Sequence, residues 1–419
     1  MTPQKNKITY LILLGLGLFL ELAFVTFWKG KAGLYGSPII WLTGGLLFCF
    51  AAMRLAHLPD LKVAKVPSKP LLITLSVWFI GTCLSVFWLK NIFEAFPIDA
   101  AQSDIIPSLE YYVRRFLSGE TVYKPMPFAG YEVNPTYFPL LWLPYVFSEI
   151  LQIDYRWTAF ILFDIALLFW MIRLSKMENS LPALFLKSAI PFIFIFNYVQ
   201  HDNAIFSLAV ELLPIGFYLL LALSILHRST LVMGLGILLC LLSRYAFTFW
   251  LPLYLLIILL EKGFPKAVQV SMVVLVGIIG IYVLPFLSKD WTIFQKGFAY
   301  YETTATAEWE HRFNPGDIPF HLSRGLSFAV YSYQFVEGDT ATKLKRSKSI
   351  HLLACALAAL GLLLYYLRRR KEGLKIGFFL LVALKAYLMV FYGFFYVPFS
   401  YLFAMPLFLS IPVLFKLRF

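Results

Sequence analysis

Apolar stretches of roughly 15 to 30 residues, the length of membrane helices, recur along the whole chain between short polar or basic connections. By length and hydropathy they predict about twelve spans, at 8–27, 38–56, 71–90, 156–174, 182–199, 204–226, 231–243, 246–260, 267–287, 350–367, 376–392 and 398–415. One more run, Tyr137 to Leu151, is only about 15 residues long and carries Pro139 and Pro144. Both properties argue for a re-entrant or interfacial helix rather than a crossing. Leu231 to Leu260 poses the opposite problem. Unbroken, it would be about 45 Å long against a hydrocarbon core of about 30 Å, so two short helices broken near Ser243-Arg244 are expected. After the third span the pattern changes. From Pro107 to Ser118, Leu109, Tyr112, Val113, Phe116 and Leu117 recur with a helical period and suit a lipid interface, while Glu110, Tyr111, Arg114 and Arg115 take the other face. Glu110 and Arg114 have ion-pair spacing. Asp104 falls at the helix entrance, where the helix dipole favours a carboxylate.

Composition agrees with many spans: 60% of the 419 residues are hydrophobic and 14% charged, with mean hydropathy +0.76. Together these predict an all-α polytopic membrane protein. The 42 Phe and 24 Tyr fit lipid contact and interfacial belts. A net charge of +13 would suit nucleic acid in a soluble protein, but here the basic residues collect in short loops, so no nucleic-acid partner is expected. If Tyr137–Leu151 does not cross, Lys5/Lys7, Arg54 to Lys69, Arg173/Lys176, Arg228, Lys262/Lys266, Arg368 to Lys371 and Lys416/Arg418 all fall in the cytoplasm. The termini are then cytoplasmic, and loops 91–155 and 288–349, the connection Gln200-His201-Asp202-Asn203 and the turn at Arg244 are extracytoplasmic. The first run, Ile8 to Trp28, is flanked like a signal sequence but is long and lacks a small-residue cleavage site, which favours a retained span. Cys49, Cys83, Cys240 and Cys355 lie in apolar runs without metal-ligand spacing and read as small core residues.

The order of polar features resembles that of the GT-C class of membrane glycosyltransferases, especially the polyprenyl-phosphate-mannose-dependent mannosyltransferase families. Asp104, Tyr111-Tyr112, Gly119 and Tyr123 look like the Asp, Tyr, Gly and Tyr series of their first external loop. Tyr137-Phe138-Pro139 and Pro144 look like the proline-punctuated helix that follows. Gln200-His201-Asp202-Asn203 resembles a Gly-Gln-x-Asn element, with Val199 in place of the glycine, and its Asp-Asn pair is similar to the acidic motif of oligosaccharyltransferase catalytic subunits. Gly234-Leu235-Gly236 through Arg244 resembles a Gly-Leu-rich helix ending in lysine, with arginine substituted. The resemblance covers most of Leu71 to Leu260 and divides the chain into two N-terminal spans (1–70), a catalytic core (71–260) and a C-terminal set (261–419). It implies inverting transfer of a sugar, mannose or another hexose or pentose, from polyprenyl phosphate to an acceptor hydroxyl on a lipid or glycan outside the membrane.

Such chemistry needs a carboxylate to take the acceptor's proton and cations to steady the departing phosphate. Asp104 is the candidate base, with Asp99 its nearest competitor and a plain helix N-cap the structural alternative. Glu110 reads as a partner of Arg114, and Glu132 lies in the same loop. Arg244, an arginine inside an apolar hairpin, is the candidate phosphate ligand, the alternative being a snorkelling helix-end residue. Arg312 and Arg324 are further candidates, in a cluster of Glu308, Glu310, His311 and His321 interleaved with Trp309, Phe313 and Phe320. That cluster suits a sugar or headgroup surface, or an interfacial loop anchored by aromatics. His201, Asp202, Asn203, Tyr111, Tyr123 and His311 complete the expected pocket. Neighbouring groups in one turn do not make a metal site, so no cofactor is expected and a divalent metal has no support. The rival reading is a transporter or flippase of a lipid-linked saccharide, which would usually show internal repeats with paired broken helices; none is visible.

Overall fold

A computed structural model describes residues 3–58, 69–128, 130–178 and 180–417. Most of the 62–69 basic run, and Arg418, lie outside them. In chain order the helices are α1 (Pro3–Val25), α2 (Gly33–Leu55), α3 (Pro70–Ala95), α4 (Ile105–Leu117), α5 (Pro139–Trp142), α6 (Val146–Leu151), α7 (Tyr155–Met177), α8 (Leu181–His201), α9 (Ala204–Ser207), α10 (Leu212–Ile225), α11 (Thr230–Leu241), α12 (Trp250–Lys262) and α13 (Phe264–Ile278). They continue with α14 (Ile293–Glu310), α15 (Phe320–Arg324), α16 (Ala329–Phe335), α17 (Thr340–Arg369), α18 (Ile376–Gly393), α19 (Ala404–Phe408) and α20 (Ser410–Lys416). A two-stranded antiparallel hairpin, Met126–Phe128 with Tyr131–Val133, interrupts this helical architecture.

Among the described residues eight helices are long and apolar enough to cross a membrane, which makes this a multi-pass helical membrane protein. The other four predicted segments are shorter or broken. Segment 204–226 is divided between α9 and α10, whose first turn holds Pro214, a residue with no N–H to continue a helix backwards. Segment 398–415 is divided between α19 and α20, each with its own proline, Pro406 and Pro412. The expected break near Ser243-Arg244 is present: α11 ends at Leu241 and α12 starts at Trp250, with a 3-10 turn at Tyr245–Phe247 between them. Pro139–Leu151 forms α5, a 3-10 turn and α6, 13 residues or about 20 Å along the axis and too short to cross alone.

Two compact units interleave along the chain. The first comprises Met1–Lys90, Ala166–Asn203 and Glu308–Phe419; the second comprises Asn91–Ile165 and Ala204–Ala307. In the first unit α1 and α2 touch closely because Gly17 faces Gly44: a Cβ on Gly17 would lie 2.6 Å from the Phe48 nitrogen. Its most enclosed long helix is α18, most of whose side chains are buried. Buried ion pairs lie inside this unit. The Lys385 ammonium donates to both Glu21 carboxylate oxygens at 2.8 and 2.7 Å and to the Pro406 carbonyl at 2.8 Å, with both charged side chains wholly buried. Lys187 pairs with Glu178 and donates to the Leu417 carbonyl at 2.5 Å. Cys49 and Cys355 are buried as expected, but Cys83 is exposed on α3, the outcome for a small apolar residue on a lipid-facing side.

In the second unit α4 is a structural centre. Leu109, Tyr112 and Val113, expected at the lipid interface, are wholly buried instead. The reason is that α5 and α6 fold back over that face: Tyr112 stacks on Trp142 at 5.8 Å. Only Phe116 and Leu117 keep the exposure expected of them. Gly119, at φ +73°, turns the chain away after α4 in a conformation that favours glycine. Arg156 clamps three segments, donating to the carbonyls of Phe93 (3.3 Å), Phe96 (2.7 Å) and Ser207 (3.2 Å) while pairing with Asp154.

Candidate functional site

The candidate base and the candidate phosphate ligand both belong to the second unit. Asp104 occupies the position before the first turn of α4, yet its side chain makes no capping hydrogen bond; Ser103 Oγ meets the Ile105 N–H instead, at 3.4 Å. Asp104 thus holds the N-cap position without a capping bond from its side chain. Burial above all pushes up the ionisation of three phenols, Tyr131, Tyr137 and Tyr300; the charge of Asp104 adds to the shift at each, and at Tyr300 a hydrogen bond with Thr304 opposes it. Arg244 acts on Tyr137 in the opposite sense. Tyr137 thus stands within electrostatic reach of both the carboxylate and the guanidinium, with Tyr301 and Glu211 adding to the same field.

Several features hold these groups. The Tyr137 N–H donates to Tyr112 Oη at 3.1 Å, and the Tyr137 carbonyl accepts from Tyr123 Oη at 3.0 Å. Trp142 Nε1 donates to the same Tyr123 oxygen at 3.3 Å. Tyr245, next to Arg244, donates to the Thr136 carbonyl at 3.0 Å, and the Leu140 N–H donates to the Leu242 carbonyl at 2.9 Å. The break between α11 and α12 is thereby fastened to the segment entering α5. Tyr123, expected in the pocket, is a buried strut of this frame. Tyr111 uses its hydroxyl on the Pro127 carbonyl at 3.0 Å, and the guanidinium of Arg115 lies 5.4 Å from its ring. Asp99 is exposed in the preceding turn, where it accepts from the Ala101 N–H at 2.9 Å. A small pocket opens beside it, walled in part by Gln102, Ser103, Pro107 and Leu208. The Glu110–Arg114 pair is formed at 3.2 Å, and Arg114 also reaches Glu149 at 2.9 Å. Glu132 lies exposed on the second hairpin strand.

Sequence reasoning missed Glu211. This wholly buried carboxylate pairs with Arg244, and its Oε1 has no hydrogen-bond partner among the described residues. The signal was available: Glu211 is the one acidic residue of the predicted span 204–226, and an intramembrane carboxylate needs a partner.

The first unit holds the remaining candidates. Asp202 is tied to Lys29 at 2.6 Å, His201 packs its ring 5.5 Å from Phe27, and Asn203 follows in the turn before α9. His321 meets Glu308 at 3.1 Å. The Arg324 guanidinium lies 4.3 Å from the Phe320 ring and that of Arg312 5.9 Å from Tyr333. Trp309 Nε1 donates to the Tyr396 carbonyl at 2.7 Å, fixing the cluster to the chain beyond α18. His311 and Glu310 are exposed. Among the described residues no group of three or more His, Cys, Asp or Glu could hold a metal ion.

No family model, curated protein or solved structure matches this chain. The functional argument therefore rests on the groups themselves. In the second unit these are a carboxylate at a helix entrance, phenols around it, and a guanidinium that shares one of those phenols.

Proposed function

We propose that this protein is a membrane glycosyltransferase of GT-C type, with about 12 membrane segments and its active site on the extracytoplasmic face. The observation that carries the reading is that the segment 136–140 is bonded on one side to the break bearing Arg244, through Tyr245 and Leu242, and on the other to Tyr112 of α4, the helix that Asp104 precedes. In the proposed reaction the acceptor hydroxyl gives its proton to Asp104 as its oxygen bonds to the anomeric carbon. The bond from that carbon to the phosphate oxygen breaks on the opposite side, inverting the configuration, and polyprenyl phosphate leaves with the electron pair. Arg244 supplies positive charge for the leaving phosphate, and Glu211 fixes its orientation. Arg312 and Arg324, in the other unit, form no part of this proposal. Mannose or another hexose or pentose fits the same chemistry, and so does a lipid or glycan acceptor.

The test is release of polyprenyl phosphate from radiolabelled polyprenyl-phosphate sugars by purified protein in lipid with a membrane-lipid acceptor extract. Asp104→Asn is expected to lower turnover by roughly 10²–10⁴-fold with an unchanged elution profile. Normal turnover by that variant removes Asp104 from the mechanism, and no release by the wild-type protein from any donor tested overturns the reading. A second reading, transport of a lipid-linked saccharide, draws on the buried charge pairs Glu21–Lys385 and Lys187–Glu178 in apolar helices. Flipping of a labelled lipid-linked saccharide in vesicles without release of polyprenyl phosphate would favour it.

A further inference from the structure

The longest helix, α17, is basic at both ends. Lys343, Lys345, Arg346 and Lys348 stand near its start, and Arg368, Arg369, Arg370 and Lys371 at or just past its end. A crossing helix puts one end on each side of the membrane, and the positive-inside rule accounts for one basic end only. With Arg368 to Lys371 in the cytoplasm, the band at 343–348 calls for another explanation.

Its side chains divide into two pairs. Lys343 and Lys348 turn toward the protein, their ammonium groups 5.1 Å from the Tyr333 ring and 4.9 Å from the Tyr396 ring. Lys345 and Arg346 are exposed. Arg346 heads the face that α17 turns away from the protein, with Lys345 about 100° round the helix at the edge of that face, since Leu344, Ser347, His351 and Cys355 on the other side are buried. Leu353, Leu357, Leu360 and Leu364 follow Arg346 at helical spacing, and all four are at least half exposed. From Arg346 to Leu364 is about 27 Å along the axis, close to the thickness of the hydrocarbon core. The outward side of one helix therefore carries an arginine above a leucine stripe about as long as the hydrocarbon core is thick, with a lysine at the edge of the stripe.

We infer that this face is a binding site for an anionic phospholipid, its phosphate held by Lys345 and Arg346 and its acyl chains laid along the leucine stripe. A zwitterionic lipid offers the same chains, but its own ammonium offsets the phosphate charge, so the two cations select for net negative headgroups. The inference is independent of the glycosyltransferase reading.

The test is native mass spectrometry of the full chain in detergent, titrated with phosphatidylglycerol or phosphatidylcholine. The wild-type protein is expected to hold one phosphatidylglycerol more tightly than phosphatidylcholine and to lose that preference as salt rises. Changing Lys345→Gln with Arg346→Gln should weaken the tightest phosphatidylglycerol site about 25-fold, roughly five-fold for each charge, and leave phosphatidylcholine binding as it was. Arg368→Gln with Arg369→Gln, the same loss of charge at the other end, should leave the tightest site intact. Equal weakening by the two double variants would overturn the inference, because net charge alone would then explain it. A wild-type protein that binds both lipids alike at low salt overturns it without any variant.

Discussion

Replacing Lys385 by methionine is expected to be among the most damaging single changes in the first unit. Methionine is close to lysine in length and fills the same space, so the change isolates the charge. It leaves the Glu21 carboxylate, wholly buried, without its cation, and the Pro406 carbonyl without its donor. Breaking a buried ion pair from one side costs about 3–5 kcal/mol, because the remaining charge is stranded, and the orphaned carbonyl adds about 1 kcal/mol. For thermal unfolding of the purified protein, followed by tryptophan fluorescence at a fixed scan rate, that corresponds to a midpoint roughly 5–10 °C lower. The double variant Glu21→Leu/Lys385→Met removes both charges and should return to within about 1 kcal/mol of the wild type, since apolar replacement of a whole buried pair is commonly neutral or stabilising. The thermodynamic cycle should then show a coupling of about 3 kcal/mol or more. A Lys385→Met protein that unfolds within a degree of the wild type, or a double variant as unstable as the two single changes summed, would refute the argument.

Other outcomes follow from single contacts. Gly17→Val should lower the unfolding midpoint by an amount equivalent to about 1–3 kcal/mol, as α1 and α2 must separate to admit a side chain against the Phe48 nitrogen and the Gly44 oxygen. Gly15→Ala, with nothing within 4 Å, should leave the midpoint unchanged or raise it. Arg156→Gln should cost about 3 kcal/mol, and Arg156→Lys should recover little of it, because one ammonium cannot serve the carbonyls of Phe93, Phe96 and Ser207 and the Asp154 carboxylate together; thermal unfolding reads both. Asp339 caps α17 by accepting from the Thr342 N–H, and its hydrogen bonds to Thr342 hold its carboxyl below the ordinary value of 3.8. A lowered native value means that the stabilisation is present above pH 3.8 and is lost as pH falls through the lower native value. Hydrogen exchange of the first turn of α17 should therefore quicken in acid, and Asp339→Asn should flatten that dependence.

Local properties were legible in the sequence and pairings across the fold were not. The broken hairpin at Ser243-Arg244 could be foreseen because helix length and bilayer thickness are set by one segment alone, and Glu110–Arg114 because four residues separate the partners. A helical stripe of apolar residues such as the one holding Tyr112 suits a membrane interface and a protein core equally well; only the return of α5 and α6 over α4 decides between them. Glu21 and Lys385 stood in plain view as charges inside apolar runs, but no local pattern links residues 364 positions apart. The three-residue strands at Met126 and Tyr131 are too short for alternation to register. At the candidate site Asp104 and Arg244 could be singled out as residue types in unusual places, whereas the partnership of Arg244 with Glu211 depends on how α10 begins after its break.

The separation of Glu21 from Lys385 has a consequence for biosynthesis. At a ribosomal rate of 5–20 residues per second, the 364 residues between them take about 20–70 s to synthesise. Throughout that interval the first helix carries its carboxylate without its eventual counter-ion, while every residue of the second unit, Asn91–Ile165 and Ala204–Ala307, emerges before Lys385 is made. Helix α1 therefore leaves the ribosome long before its carboxylate is neutralised, and quality control in the membrane meets an unpaired charge in α1 whenever synthesis stops short of α18.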